Sequence, residues 1–303
     1  VKEPLLAKIH YFYIKHTNMR LFLLSIPFIC SITSFGQIED EKVILKKLCS
    51  KEFLGRGYVA NGVNLAADFI AEMFQDFGAE PAGENDSYFH HFSLNVNTFP
   101  NKIEVANKKM TYQPGVHYLV KATSGSYVGD LKLYDFDPFK LIAKDKKAVK
   151  LFEKARKDPN KYEIGLHMDL TTYTNRDTIA MLNEIATELS NHCPVVIRTT
   201  EKFMWNVGRL ETKYPIIQIQ DSILRTTKKL FVDVRNKFEK DFKTKNVVAR
   251  VPGKRSDSCF VFTAHFDHLG AMGTEAFFPG ANDNASGTTM LLSIAKHFAK
   301  NKP

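Results

Sequence analysis

The chain is poor in cysteine and tryptophan, with four and one respectively among 303 residues. Cys30 sits in a leader-like stretch, so three cysteines remain for the fold. Three cannot make the disulfide framework of a small secreted scaffold, and a packed core has to hold the chain instead. One pair among Cys49, Cys193 and Cys259 has the option of a single bridge, and spacing does not say which. Cys259 lies in an apolar run and is expected as a small core residue. Acidic residues are also short, 33 against 42 Lys and Arg, a formal net charge of +9. The excess is dispersed. Its densest run, residues 140–161, interleaves Asp and Glu with Leu, Val and Phe at helical spacing. That is a solvated helix face, and it excludes nucleic acid as the expected partner. Repeats and low-complexity tracts are absent, and no apolar run reaches the roughly 20 residues of a membrane span.

The longest apolar run, Leu21–Ile29, follows Met19-Arg20 and leads to Ser31-Ile-Thr-Ser-Phe-Gly-Gln37. A basic residue, a short apolar core and a small residue at its end describe a secretory signal peptide from Met19 to Gly36. The expected location is secreted or periplasmic, with no stable membrane span after cleavage. Residues 1–18 read as upstream sequence and stand outside the fold.

Apolar and charged fractions of 44% and 25% are those of a globular protein. Lys42 to Cys49 predicts a short helix. Leu65, Phe69, Ile70, Met73, Phe74 and Phe77, spaced by threes and fours, predict a second helix that Gly78 ends. From Tyr88 the pattern alternates as in strands, and Ile103-Glu-Val and Tyr118-Leu-Val continue it. Gly129 to Tyr134, Cys193 to Ile197 and Pro215 to Ile219 read as further strands among helical segments. Cys259-Phe-Val-Phe262 reads as a buried strand, and Met290 to Phe298 as a helix. The class is α/β.

Two loops carry the chemistry. Thr263-Ala-His-Phe-Asp-His-Leu-Gly270 follows the apolar run, and Pro279-Gly-Ala-Asn-Asp-Asn-Ala-Ser-Gly287 precedes the last helix. Imidazole and carboxylate are ordinary zinc ligands, and a carboxylate has two oxygens with which to bridge a pair of ions. Side chains at i and i+2 of an extended chain share a side, so Asp267 can accept from the imidazole N–H that faces away from a metal. Asp283 can supply the bridge. Gly280 and Gly287 allow tight turns around it, and Asn284 or Ser286 can cap the following helix. His268 has two readings, beside the metals or in a supporting or surface position. The other histidines, including His90-His91, lack ligand spacing.

These loops resemble the M28 family of zinc aminopeptidases, whose pattern runs roughly H-x-D-H-x-G and then G-A-D-D-N-A-S-G. Asn282 departs from it where many relatives have Asp. Phe53-Leu-Gly-Arg-Gly-Tyr58 resembles the family's L-x-G-R-G turn, Ala66 to Phe74 its first helix, and Asn246-Val-Val-Ala-Arg-Val-Pro-Gly253 the strand before the metal-bearing one. The resemblance implies two Zn2+ per complete catalytic domain. In it His265 ligates one zinc, Asp283 bridges both, Asp267 orients His265, and the Asp283–Asn284 peptide is cis. It also implies a three-layer α/β/α sandwich with a mixed, mostly parallel sheet. A protease-associated-like α+β insertion is expected over 125–238, between an N-terminal part of the peptidase domain at 37–124 and its metal-binding part at 239–303.

The expected reaction is hydrolysis of the peptide bond next to a free amino terminus, with peptide or protein N-termini as substrates. The family's general-base Glu and remaining ligands lie after the Gly-Ala-Asp-Asp-Asn helix. On that pattern the chain is truncated at its C-terminus, part of the sheet is missing, and this chain is expected to bind zinc poorly and to be inactive alone. Two other readings share the fold, a glutaminyl-cyclase-like transferase and a non-catalytic ectodomain similar to the transferrin receptor. His265, Asp267 and Asp283 argue against the second, because such relatives usually lose the metal residues.

Overall fold

A computed structural model describes residues 35–224, 227–255 and 257–302. The chain divides into two units, residues 1–47 and 48–303. The signal peptide expected at Met19 to Gly36 lies almost entirely outside the described residues. Helix α1 (Phe35–Leu48) runs through the described end of the first unit and contains the helix expected from Lys42. Among the described residues no helix is long and apolar enough to cross a membrane.

In the second unit, helix α2 (Gly62–Phe77) ends as expected at Gly78, which takes the left-handed conformation and donates its N–H back to the Gln75 carbonyl. Its buried stripe is Val63, Ala66, Ala67, Ile70, Ala71 and Phe74, while Leu65 is exposed. The helix therefore turns its small residues inward, one position round from the stripe that the large side chains suggest. Strand β1 (Glu80–Pro81) follows. A long antiparallel ribbon then pairs β2 (Phe89–Thr98) with a strand far along the chain, residues 237–247.

Between the two arms of that ribbon lies the largest sheet. Its strands are β3 (Glu104–Ala106), β4 (Tyr118–Val120), β5 (Tyr127–Asp135), β6 (Ile164–Asp169), β7 (Val195–Thr199), β8 (Ile216–Gln220) and β9 (Lys229–Val234), in spatial order β3-β9-β5-β6-β7-β8-β4. The neighbours β5, β6, β7 and β8 run parallel and the outer pairings are antiparallel. Parallel neighbours need crossovers. Helices α3 (Pro138–Ile142), α4 (Lys146–Lys157) and α5 (Pro159–Tyr162) make the first, and α6 (Arg176–Leu189) the second. A short helix α7 (Asp221–Leu224) follows β8.

The curved sheet has a core on each face, and the strand period of two divides the side chains between them. Val196, Ile217 and Ile219 join Phe99, Val105, Tyr118 and Val232 on one face. Val195, Ile197 and Ile216 join Leu166, Leu182, Ala186 and Leu189 under the helices on the other. Successive apolar residues, Val195-Val-Ile197 and Ile216-Ile217, mark where these strands are buried on both faces.

Strand β10 (Lys237–Val247) closes the ribbon, and β11 (Ala249–Arg250) pairs with β1. Beyond it the expectation of a buried strand at 259–262 is overturned. Residues 259–262 have no regular structure, and Phe260, Val261 and Phe262 are 94%, 77% and 52% exposed. Their composition favours a strand, but a strand needs a ladder. No described strand pairs with this run, since β11 is taken by β1 and the next two strands, β12 (Gly270–Met272) and β13 (Ala276–Phe278), pair with each other. Helix α8 (Ser286–Lys300) ends the described chain, and Phe298 lies against Phe262 with ring centroids 6.4 Å apart.

The same correction moves Cys259, which is exposed rather than in the core. Cys193 is buried, Cys49 intermediate, and all three are free. Burial pushes the Cys193 thiol from an ordinary 9.0 up to about 12. Because the folded state holds that proton more tightly than the unfolded one, its contribution to stability is full below pH 9 and is lost from there towards 12. A thiol reagent at pH 8 should therefore distinguish the two cysteines. Cys259→Ser is expected to remove one fast-reacting equivalent from the native chain, and Cys193→Ser none. Equal loss from both would contradict this burial pattern.

Candidate metal centre

The two sequence loops come together. His265 Nε2 lies 3.3 Å from Asp283 Oδ1, and His268 Nδ1 lies 3.4 Å from Asp283 Oδ2. Each oxygen of the one carboxylate thus faces a different imidazole. The His268 side chain is 11% exposed and faces Asp283 rather than lying on the surface, and burial lowers its pKa while Asp283 pulls the other way. The outer nitrogen of His265, Nδ1, is 3.2 Å from the Asp267 backbone carbonyl and 3.6 Å from Asp267 Oδ1. The Asp283–Asn284 peptide is cis, as the resemblance implied.

The loops are held by groups whose roles the sequence did not disclose. Arg56 is fully buried. Its guanidinium donates to four backbone carbonyls: Nε to Phe266 at 2.7 Å, Nη1 to Leu48 and to Pro279 at 2.8 Å each, and Nη2 to Gly280 at 2.8 Å. Three of these, Phe266, Pro279 and Gly280, belong to the loops that carry His265 and Asp283, so one side chain ties both loops together. Its own backbone is left-handed, with φ of 50°, and its carbonyl accepts from the His268 N–H at 3.0 Å. Burial lowers the Arg56 pKa, with the nearby Cys49, Asp267 and Asp283 acting the other way. The L-x-G-R-G resemblance pointed to a turn here, and the turn serves to aim this arginine.

The glycines of that turn permit close approach. A Cβ on Gly55 would lie 2.4 Å from the Phe278 carbonyl oxygen, and one on Gly57 would lie 2.4 Å from Gly270 Cα. Tyr58 follows, and its hydroxyl donates to Asp267 Oδ2 at 3.3 Å. Burial first, and then the Asp267 carboxylate, push its phenol up to about 12. On the other loop Gly280 is left-handed, and a Cβ there would meet the His268 ring at 2.4 Å.

Asn284 and Ser286 do not cap α8, whose N-terminus has no side-chain cap. Asn284 Nδ2 donates to the His265 carbonyl at 3.2 Å instead, and Thr288 Oγ1 donates to the same oxygen at 3.1 Å. Gly287 lies inside α8 rather than in a turn, where a Cβ would strike the Asn284 amide at 2.4 Å. His90 and His91 stand apart, exposed and facing Glu84.

Zinc bound to imidazole and carboxylate at about 2.0–2.2 Å in tetrahedral geometry sets its ligand atoms about 3.4 Å apart. Both imidazole–carboxylate separations here have that spacing. His265 and Asp283 are 55% and 67% exposed, which leaves them open to an ion from solvent. The donors fit zinc pairwise. Among the described residues no group of three or more His, Cys, Asp or Glu side chains is arranged to hold a metal ion.

A buried arginine thus locks two loops across which histidine and aspartate face one another in an α/β chain. Residues 246–303 match the model of Peptidase family M28, which supports membership of that family. No curated protein matches the chain. The matched segment holds His265, Asp267, His268 and Asp283. The match suggests a metallopeptidase type of function, and peptidases of this family are generally zinc-dependent.

Proposed function

We propose that residues 246–303 carry the metal-binding loops of a zinc-dependent exopeptidase that acts on peptides with a free amino terminus. The observation that supports this most is the placement of His265 Nε2 and His268 Nδ1 on opposite oxygens of Asp283. Asp283 would bridge two Zn2+, His265 would ligate one of them, and Asp267 with Tyr58 would hold the imidazole from behind. Bound zinc supplies Lewis acidity and lowers the pKa of water for attack on a carbonyl. Arg56 keeps the loops in register and exposes no donor to substrate.

The seven-stranded sheet, which holds the insertion expected over 125–238 and also takes in β3 and β4 ahead of it, has in this reading the protease-associated role of shaping the substrate cleft. It is seated on the β12–β13 hairpin just ahead of Pro279. Trp205 stacks on Phe278 with centroids 5.0 Å apart, and Trp205 Nε1 donates to the Val120 carbonyl at 2.8 Å. A signal peptide at Met19 to Gly36 would send the protein to the periplasm or out of the cell.

A catalytic zinc ordinarily keeps three protein ligands. With donors that meet only pairwise, this chain by itself should hold zinc loosely and turn over no peptide. The test is zinc content together with product analysis on short peptides bearing a free, an acetylated or a glutaminyl amino terminus. The expected result is exchangeable zinc and no release above a zinc-only control. Cleavage of internal bonds in the acetylated peptide would overturn the exopeptidase reading, and cyclisation of the glutaminyl peptide would favour the transferase. Tightly held stoichiometric zinc with release of amino-terminal residues would refute the inactivity of this chain.

A further inference from the structure

Strands β5, β6 and β7 run parallel and end side by side, at Asp135, Asp169 and Thr199. A cavity of about 770 Å³ lies at those ends, with Asp135, Asp169 and Arg198 in its wall. The carboxyl ends of parallel strands are where α/β proteins place ligands. None of the metal-site residues lines the cavity, so it is separate from the site above.

The charges of the wall cancel. Among the described residues it holds four carboxylates and four cationic side chains. Asp169 accepts from Arg198 Nη1 at 3.0 Å and from both the N–H and hydroxyl of Thr171. Asp137 accepts from the Phe139 N–H. Asp145 accepts from the Ala148 and Lys147 N–H groups, and these bonds, with the Lys140 and Lys147 charges behind them, hold it below its ordinary pKa. Asp135 accepts from His167 Nδ1 at 2.7 Å. That bond first, and then the Lys228 and Arg198 charges, hold its carboxyl below the usual range. The wall therefore offers a ligand no net charge to match.

Among the described residues one buried polar atom of the wall lacks a partner. The His167 side chain is 11% exposed, and its Nε2 is buried without a hydrogen bond. An ionised Asp135 can only accept, so His167 Nδ1 carries a proton. In the neutral imidazole Nε2 then presents a lone pair. A buried acceptor with no donor is costly, and in a cavity wall it is a place for a donor carried by a ligand. Leu133, Phe136, Leu151 and Leu224 make the wall otherwise apolar. We propose that this cavity binds a neutral, largely apolar molecule that donates one N–H or O–H to His167 Nε2. An indole or an amide supplies the first donor, an alcohol or a phenol the second. The proposal goes beyond the peptidase reading and does not rest on it.

Calorimetric titration of the full chain with two matched pairs tests it, indole against 1-methylindole and benzyl alcohol against benzyl methyl ether. The expected result is saturable one-to-one binding by at least one donor, about fivefold or more tighter than by its methylated partner. Which donor binds names the group. In His167→Leu that preference should vanish, with the far-ultraviolet circular dichroism spectrum of the parent retained. A second reading does not depend on affinity. In nitrogen-15 spectra of the histidine side chains, the ring bonded to Asp135 should be protonated at Nδ1 alone. Its Nε2 signal should move on adding the donor and stay on adding the methylated partner. No saturable binding by either donor, equal binding within both pairs, a preference unchanged in His167→Leu, or a proton on Nε2 would overturn the proposal.

Discussion

Arg56→Met should destabilise residues 48–303 by about 3–5 kcal/mol, the range for removing one partner from a buried charged network. A domain has only roughly 5–15 kcal/mol of stability in total, so the variant should be close to unfolding at room temperature. Methionine fills similar volume but donates nothing, and the carbonyls of Leu48, Phe266, Pro279 and Gly280 would lose this donor together. Arg56→Lys should restore little. An ammonium is a point donor, whereas the four bonds here depend on a planar fork that reaches opposite sides at once. Urea unfolding followed by circular dichroism gives the midpoints. A loss below about 1 kcal/mol, the net value of one ordinary hydrogen bond, would show that water replaces the guanidinium and that the clamp is not what holds the loops.

The second large effect concerns metal. Asp283→Asn should lower zinc affinity at least a hundredfold and His265→Ala at least tenfold, measured by competition with a chromophoric chelator. Asp283 faces both imidazoles and is the common element of both pairs. An amide keeps its shape but loses the charge and one acceptor oxygen. Cys259→Ser should leave affinity unchanged, although Cys259 is exposed and thiolate is a good zinc ligand, because the cysteine takes no part in the cluster. Equal affinity in parent and Asp283→Asn would remove Asp283 from the centre.

What was legible in the sequence divides on physical lines. Strands buried on both faces announce themselves as short runs rich in β-branched apolar residues, so Val195–Thr199 and Ile216–Gln220 were readable within two residues, Gln218 notwithstanding. That the loops of residues 263–270 and 279–287 belong together was readable in their residue types and spacing, and His265 and His268 do face Asp283. The burial of Arg56 was not. An arginine in a glycine turn looks solvated, and only the approach of Gly270 and Phe278 to Gly55 and Gly57 encloses it. The helix α2 and its end at Gly78 were readable from the spacing of its large apolar side chains, whereas the burial of Ala66, Ala67 and Ala71 is set by close packing that periodicity does not report. Phe260-Val-Phe262 was misread because β-propensity belongs to a segment and strand formation to a pair. Tyr58 and His268 follow the same logic as Arg56, since their partners lie on loops that meet only in the folded chain.

The proposal's core is that zinc sits between imidazole and carboxylate on the two loops of residues 263–287. X-ray absorption at the zinc edge of the loaded chain addresses that most directly. The proposal predicts a first shell of nitrogen and oxygen only, at about 2.0–2.2 Å, with the multiple-scattering pattern of imidazole and no sulfur. A sulfur shell near 2.3 Å, or a nitrogen–oxygen shell without imidazole scattering, would contradict it.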